Sequence, residues 1–255
     1  CIGMALHGGV IPACGTFFVF SDYMKPAVRM AALMELPVKF IWTHDAFRVG
    51  EDGPTHEPVE QEAQIRLMEK LKNHHGKPST LVLRPADAKE TTAAWALAME
   101  NTSTPTALIL SRQNINNLPE GNDYCQAAKG GYIVAGSDEN PDVILVATGS
   151  EVSTLIAGAE LLRAEGKKVR IVSVPSEGLF RQQPKEYQQS VLPTGVKKFG
   201  MTAGLPVNLL GLVPEAEGTI WGLESFGFSA PYKVLDEKLG YTAQNVYDQV
   251  SKLLA

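Results

Sequence analysis

Polar and ionisable side chains are concentrated in one segment of the chain, residues 43–58. It holds two histidines, four acidic residues, one arginine and two glycines. The residues before it, 37–42, are apolar and few enough to form a buried strand. Ligands of parallel α/β sheets bind at the carboxyl ends of strands. We therefore predict that residues 43–58 form a site for a polar ligand.

The two histidines of this segment allow three kinds of chemistry. His44 and His56, with Glu51 and Asp52 between them, suit metal binding, acid/base catalysis or recognition of sugar hydroxyls. A metal site usually needs closely spaced histidine pairs or a cysteine cluster, and neither is present. We therefore assign no metal ligand and favour recognition of hydroxyl and phosphate groups. An ordinary solvated loop is the alternative that composition alone leaves open.

Three aromatic residues upstream of the loop recur at every third position. Phe17, Phe20 and Tyr23 follow Thr16, a residue typical of a helix N-cap, and their spacing predicts one face of a helix. A stripe of this kind is usually part of the core. The functional alternative is an aromatic wall that stacks on a planar heterocycle.

Two further positions have the residue types of a phosphate site. Arg112 follows the predicted strand 106–111, and its guanidinium matches the geometry of phosphate oxygens. A surface arginine is the alternative. Gly149 and Ser150 follow an apolar strand and precede a helical pattern. For this pair we favour simple helix capping over phosphate binding.

Composition restricts the class of protein. A formal net charge of −5 provides no basic surface for nucleic acid, and no apolar run is long enough to span a membrane. Three cysteines without metal-type spacing fit a reducing compartment, so we expect a cytoplasmic protein. The first six residues have the composition of a helix interior, so we expect the chain to be a fragment.

Strand and helix patterns alternate over the first half of the chain and predict a parallel, doubly wound sheet. We predict strands at 10–14, 37–42, 79–83 and 106–111, a helix from Thr16 interrupted or restarted at Pro26, another from 60, and one that starts at the Asp87 and Glu90 capping box. Residues 119–131 are the predicted linker between units 1–118 and 132–255. The second unit has predicted strands at 142–147, 168–174, 197–202 and 219–222, and helices at 151–165, 232–239 and 242–254.

The segment 50–61, Gly-Glu-Asp-Gly-Pro-Thr-His-Glu-Pro-Val-Glu-Gln, closely resembles the transketolases. The resemblance continues through residues 16–17, 27–34, 43–45, 83–87, 105–114 and 147–152 and covers essentially the whole chain. It implies two doubly wound sheet domains. The first is a truncated parallel-sheet pyrimidine-binding domain of a thiamine enzyme, and the second is a smaller mixed-sheet C-terminal domain.

The resemblance also implies an activity. Transketolases transfer a two-carbon ketol unit between sugar phosphates of the pentose phosphate pathway, on thiamine diphosphate, at sites shared by the two subunits of a homodimer. Three residues match aromatic positions around the aminopyrimidine: Phe17, Phe20 and Tyr23. Three match catalytic positions that contact sugar hydroxyls or phosphate: His44, Asp52 and His56. Arg112, together with His44, matches the positions that grip the substrate phosphate.

The family pattern places other necessary groups upstream of Cys1. These are the glutamate that activates the aminopyrimidine and the diphosphate-binding domain with its Mg²⁺ or Ca²⁺, so we expect this fragment to be inactive alone. Phe47-Arg48 and Phe228 depart from residues common in the family. Two other readings are a related thiamine enzyme, such as a deoxyxylulose phosphate synthase or a dehydrogenase β-subunit, and a non-catalytic dimerisation module.

Overall fold

The first unit is built on an all-parallel sheet. The computed structural model describes residues 1–120, 123–136 and 140–255. Four strands run in the order β1-β2-β4-β3: β1 (Ala13–Phe17), β2 (Lys39–Thr43), β3 (Leu81–Leu83) and β4 (Thr106–Ile109). The helices of this unit are α1 (Ile2–His7), α2 (Ser21–Leu33), α3 (Gln61–Lys70) and α4 (Ala88–Glu100). The predicted parallel sheet is confirmed.

The second unit is built on a five-stranded mixed sheet. Its strand order is β5-β7-β6-β8-β9, with β5 antiparallel to β7 and all other pairs parallel. The strands are β5 (Tyr132–Ala135), β6 (Val143–Ala147), β7 (Val169–Ser173), β8 (Lys197–Met201) and β9 (Gly218–Trp221). The helices are α5 (Glu151–Ala164), α6 (Glu177–Gln182), α7 (Lys185–Val191), α8 (Tyr232–Leu239) and α9 (Ala243–Leu254). The mixed sheet is confirmed, whereas β5, α6 and α7 were not predicted.

The start of the first unit differs from the prediction. The first strand lies at Ala13–Phe17 rather than 10–14, and Phe18–Phe20 form a 3-10 turn before α2 begins at Ser21. Thr16 is therefore no helix cap, because it pairs with Trp42 in the sheet. Pro26 lies inside α2 without ending it. A proline there removes one hydrogen bond, while the helix still buries Val28, Ala31 and Ala32.

The predicted linker is partly packed onto the first unit. Residues 121 and 122 lie outside the described part of the chain. Tyr124–Lys129 form a 3-10 helix that contacts α4. Just before the linker, the backbone N–H of buried Leu118 donates to Asp87 Oδ2 at 2.9 Å. Asp87 also accepts from the Glu90 N–H at 2.7 Å, as the capping box predicts. The boundaries 1–118 and 132–255 stay a prediction.

Two buried arginines join the units. Arg84, which follows β3, donates to Asp45 at 2.6 Å and to Glu151 at 2.5 Å. Arg48 donates to the same Glu151 and to Asp236, both at 2.7 Å. Burial opposes the ionisation of Glu151, but the two guanidinium groups hold its pKa below the ordinary value. Glu151 therefore stays charged. Its ion pairs hold Arg84 and Arg48 of the first unit at the N-terminus of α5.

Loss of Arg84 should destabilise the protein strongly. Arg84→Met leaves Asp45 and Glu151 buried with less compensation, which costs roughly 3–5 kcal/mol in comparable cases. Arg181→Met is a matched control, because the pair between Arg181 and Glu177 is exposed on the arginine side and should contribute about 1 kcal/mol or less. Urea unfolding measures both. Equal effects of the two variants would contradict the role given to Arg84.

Candidate active site

The candidate site residues gather at the carboxyl ends of parallel strands. Phe17 is the last residue of β1, and His44 directly follows β2. Arg112 follows the end of β4, which is hydrogen-bonded to β2. His44 has a φ of 62°, in the left-handed region that non-glycine residues rarely adopt. This conformation turns the chain out of the strand at the point where the polar loop begins.

Two histidines and two phenylalanines form one cluster. The rings of Phe17 and His44 stack with centroids 3.6 Å apart and an interplanar angle of 14°. The ring of His56 stands edge-on to both phenylalanines, with centroids 6.3 Å from Phe17 and 5.5 Å from Phe20. The structure therefore brings candidate cofactor-binding residues and candidate substrate-binding residues into direct contact.

The aromatic stripe is not the single helix face that its spacing predicts. Phe17 ends a strand, Phe20 ends a 3-10 turn and Tyr23 lies in the first turn of α2. The phenylalanines are half-buried, and Tyr23 is 82% exposed at 6.1 Å from the Phe20 ring. These rings are therefore not part of the core. Phe17 and Phe20 keep part of their surface exposed, and Tyr23 exposes most of its ring.

Burial and the charge of Arg112 favour the neutral form of His44. Burial lowers the pKa of His44, and the positive charge of Arg112 lowers it further. Asp52 and Asp45 raise it by a smaller amount, and His56 lowers it. Arg112, Asp52 and His56 thus act on His44 although they belong to two different loops. A neutral imidazole at this point can both accept and donate a proton.

A hydroxyl from the preceding residue fixes each histidine ring. Thr43 Oγ1 lies 2.9 Å from Nδ1 of His44, and Thr55 Oγ1 lies 2.9 Å from Nδ1 of His56. Because Nδ1 is engaged in both rings, Nε2 is the nitrogen that remains for a ligand. Arg112 is exposed and makes no ion pair with the described residues. Its guanidinium is therefore open to an anion.

Both units match domains of known proteins. Residues 1–117 match the family described as transketolase, pyrimidine binding domain, and residues 130–242 match the transketolase-like TK C-terminal domain. The chain belongs to the transketolase family. It is 45% identical over 254 residues to a transketolase of Staphylococcus aureus (strain MW2), an alignment covering 98% of this chain and 37% of the relative. The chain thus spans a little over one third of that relative's length.

Solved transketolases have the same fold. A transketolase from Leishmania mexicana superposes with a TM-score of 0.90 at 38% identity, over 99% of this chain and 35% of that chain. A structure described as a split gene transketolase, inactive beta4 tetramer, superposes with a TM-score of 0.74 at 25% identity, over 99% of this chain and 78% of that chain. Chains of the transketolase family therefore occur both much longer than this sequence and close to its length.

Phe47 and Arg48 connect the site loop to the C-terminal domain. Both residues are buried in a 3-10 turn, and the Phe47 ring lies 4.6 Å from the ring of Tyr241 in the C-terminal domain. The guanidinium of Arg48 lies 4.8 Å from the Phe47 ring centroid. These contacts anchor the start of the site loop to the second domain, a role that sequence patterns did not predict. A large aromatic residue inside a polar loop was the available signal.

Gly149 and Ser150 lie at the interface between the two domains. Gly149 has a φ of +64° and packs on Arg84, where an added Cβ would lie 2.6 Å from the guanidinium carbon. Ser150 makes no capping bond, and its hydroxyl instead accepts from Arg48 and Gln113 at 3.1 Å each. Ser150 thus occupies the N-cap position of α5, as the prediction of helix capping requires, but it does so without a side-chain capping bond. Phe228 is 44% exposed, with Lys238 Nζ 4.5 Å from its ring centroid.

No group of three or more His, Cys, Asp or Glu side chains in residues 1–120, 123–136 and 140–255 is placed to hold a metal ion. No helix in the same part of the chain is long and apolar enough to cross a membrane.

The pKa of His44 should respond to its neighbours in opposite directions. Arg112→Gln removes a positive charge and should raise the pKa, whereas Asp52→Asn should lower it further. Lys77→Gln is the control, because Lys77 does not contribute to the shift of His44. NMR titration of the imidazole resonances measures all three. A fall of the pKa in Arg112→Gln would show that the two residues are not neighbours in solution.

Proposed function

We propose that this chain provides the pyrimidine-binding and sugar-binding half of a transketolase site, which transfers a two-carbon ketol unit between sugar phosphates. The observation that carries the proposal is the stack of Phe17 on His44, with His56 edge-on to it and the charges of Arg112 and Asp52 acting on the same imidazole. A site that binds a cofactor ring next to a sugar phosphate needs the aromatic residues and the polar residues side by side.

The aromatic residues orient the cofactor ring. Phe17 and Phe20 offer half-buried faces on which the aminopyrimidine of thiamine diphosphate stacks, and the exposed Tyr23 ring extends this wall. When bound, the cofactor supplies the electron sink that stabilises a carbanion. The chain's own part is to hold the ring by stacking and to exclude water from its apolar face.

The polar residues bind the sugar phosphate and move protons. Arg112 supplies a permanent positive charge for the phosphate oxygens. His44 donates a hydrogen bond to the same phosphate from its largely neutral ring. His56 contacts the hydroxyls at the donor end and exchanges protons there through Nε2. Asp52, exposed at the turn after Gly50, accepts from a sugar hydroxyl and selects its stereochemistry.

Assembly completes the site. Large apolar side chains of residues 4–34 are exposed, and they include Met4, Leu6, Val10, Ile11, Tyr23, Met30, Leu33 and Met34. A surface of this kind marks a protein interface. We propose that it is covered by a diphosphate-binding portion with its Mg²⁺ or Ca²⁺ and by a second copy in a homodimer. The complete enzyme would act in the cytoplasm, in the pentose phosphate pathway.

The 255-residue polypeptide alone should show no ketol transfer. The residues described here bind only the pyrimidine side of the cofactor, so activity should appear when a diphosphate-binding portion of a transketolase is added. An assay of ketol transfer between xylulose and ribose phosphates measures the activity, and sedimentation measures the assembly. Turnover by the isolated chain would contradict the division of the site. Stable assembly with cofactor bound and no transfer would contradict the proposed activity.

Arg112 and His56 should affect different kinetic constants in the assembled enzyme. Arg112→Ala removes charge-assisted hydrogen bonds to phosphate, each contributing about 1.5–3 kcal/mol, and should raise KM for phosphorylated sugars by roughly tenfold to a hundredfold. His56→Ala should mainly lower kcat, by about a hundredfold or more. Unphosphorylated sugars serve as the control, because the Arg112 variant should treat them like the wild type. Unchanged constants in both variants would refute these roles.

A further inference from the structure

Glu57 is a buried carboxyl that the proposed chemistry does not use. It directly follows His56 and is 2% exposed. Neither carboxyl oxygen has a hydrogen-bond partner of normal geometry among the described residues, and no ion pair reaches it there. A buried polar group without partners costs free energy. This cost at the end of the site loop needs an explanation in terms of function.

The carboxyl of Glu57 lies against the C-terminal domain. The contact is with Gly227, where an added Cβ would lie 1.8 Å from Glu57 Oε2. Such an approach is possible only because residue 227 has no side chain. The backbone N–H groups of Phe228 and Gly50 also face the carboxyl and favour its charged form.

Neighbouring contacts join the same two segments. Ser229 Oγ donates to the backbone oxygen of Glu51 at 2.6 Å. Gly53 has a φ of +75° and packs on Ser229, where an added Cβ would lie 3.0 Å from the serine Cβ. An added Cβ on Gly50 would lie 3.3 Å from the Ala230 oxygen. Residues 227–230 thus form a platform under residues 50–57, and this platform contacts the loop at several points.

We propose that Glu57 is a positioning residue, whose buried carboxyl seats residues 50–57 on the Gly227 platform of the C-terminal domain and thereby fixes Asp52 and His56. The proposal deepens the proposed function, since it assigns the C-terminal domain a part in the same site. Glu57 touches neither the sugar nor the cofactor. It acts through the loop that carries the residues that do.

The protonation state of Glu57 supports this geometry. Burial raises the pKa of Glu57 to about 7, and only the Phe228 and Gly50 amides oppose the shift. Ionisable residues on the packed segments are Glu51, Asp52, His56, Glu224 and Lys238, and none of them contributes. A carboxyl with a raised folded-state pKa contributes its full stabilisation below its ordinary pKa and loses it as pH rises through about 7. The seated loop should therefore loosen progressively as pH rises from about 4.5 to about 7.

A double-mutant cycle between Glu57 and Gly227 tests the contact. In the complete protein, Gly227→Ala should displace Glu57 and increase hydrogen exchange of the amides of residues 50–57 by about tenfold or more. Glu57→Ala leaves a void, and the added methyl of Gly227→Ala partly fills it. The double variant should therefore be at least about tenfold better protected than Gly227→Ala alone. Gly3→Ala is the matched control, because nothing lies within 4 Å of its Cβ.

A pH series with Glu57→Gln separates positioning from simple packing. The wild type should lose protection of residues 50–57, corrected for intrinsic exchange, as pH rises from about 4.5 to about 7, with little further change above that range. Glu57→Gln keeps the size of the side chain without its charge, so it should retain protection and show no such pH dependence. In the active assembly kcat/KM should depend less on pH over the same range in this variant.

Each outcome decides the proposal. Additive effects in the cycle, or the same pH dependence in Glu57→Gln as in the wild type, would overturn it. If Gly227→Ala does not fold, the Glu57→Gln series alone gives the decision. Hydrogen exchange can be measured whether or not the protein is catalytically active. Coupling in the cycle without ketol transfer would therefore refute the proposed function and leave the positioning role standing.

Discussion

The buried carboxylate of Glu151 is the constraint on which the rest of the structure depends. It begins α5 in the C-terminal domain and receives Arg48 and Arg84, both from the pyrimidine-binding domain. A carboxylate that is fully buried can remain charged only while both cations stay in place. Separation of the two domains would therefore break both ion pairs at once, because each joins Glu151 to an arginine of the other domain. The geometry of the site loop follows, because Arg48 lies within that loop and its position is fixed at the interface.

The C-terminal domain thereby supports the candidate site, although the candidate catalytic residues all lie in the pyrimidine-binding domain. Phe47 packs on Tyr241, Arg48 is paired with Asp236, and Ser229 bonds the backbone of Glu51. The loop is held at its start by an aromatic contact and ion pairs, and in its middle by backbone packing. Between these supports lie Asp52, which is exposed, and His56, which is half-buried. Catalytic groups need such supports, because small displacements of a positioned group cost large factors in rate.

Much of the fold could be predicted from sequence because its strands are short apolar runs between turn residues. The strand ending at Thr43, the Asp87 capping box and the helix over residues 151–165 each follow from local patterns. The differences share a cause: Thr16 belongs to a sheet pairing instead of a helix cap, and the Ser150 hydroxyl accepts from Arg48 and Gln113 instead of capping α5. The local propensity of a residue carries no information about such tertiary contacts. The site residues were identified by composition and family resemblance, but their support by Phe47, Glu57 and Gly227 depends on contacts with distant parts of the chain.

Two kinds of carboxyl hold the domain interface, and they respond differently to pH. Glu151 is kept charged by its arginines. Glu57, Glu69 and Glu90 each have a pKa raised to about 7 by burial, and each contacts the other domain, at Gly227, Ser176 and Tyr132 respectively. Groups of this second kind stabilise the folded state most below their ordinary pKa and lose that contribution as pH rises through about 7. The ion pairs thus hold the domains together across the neutral range, while the carboxyls with a raised pKa make the finer packing of the loops sensitive to pH between about 4.5 and about 7. Only Glu57 lies in the loop that carries candidate catalytic residues, so only there does this sensitivity act directly on the site.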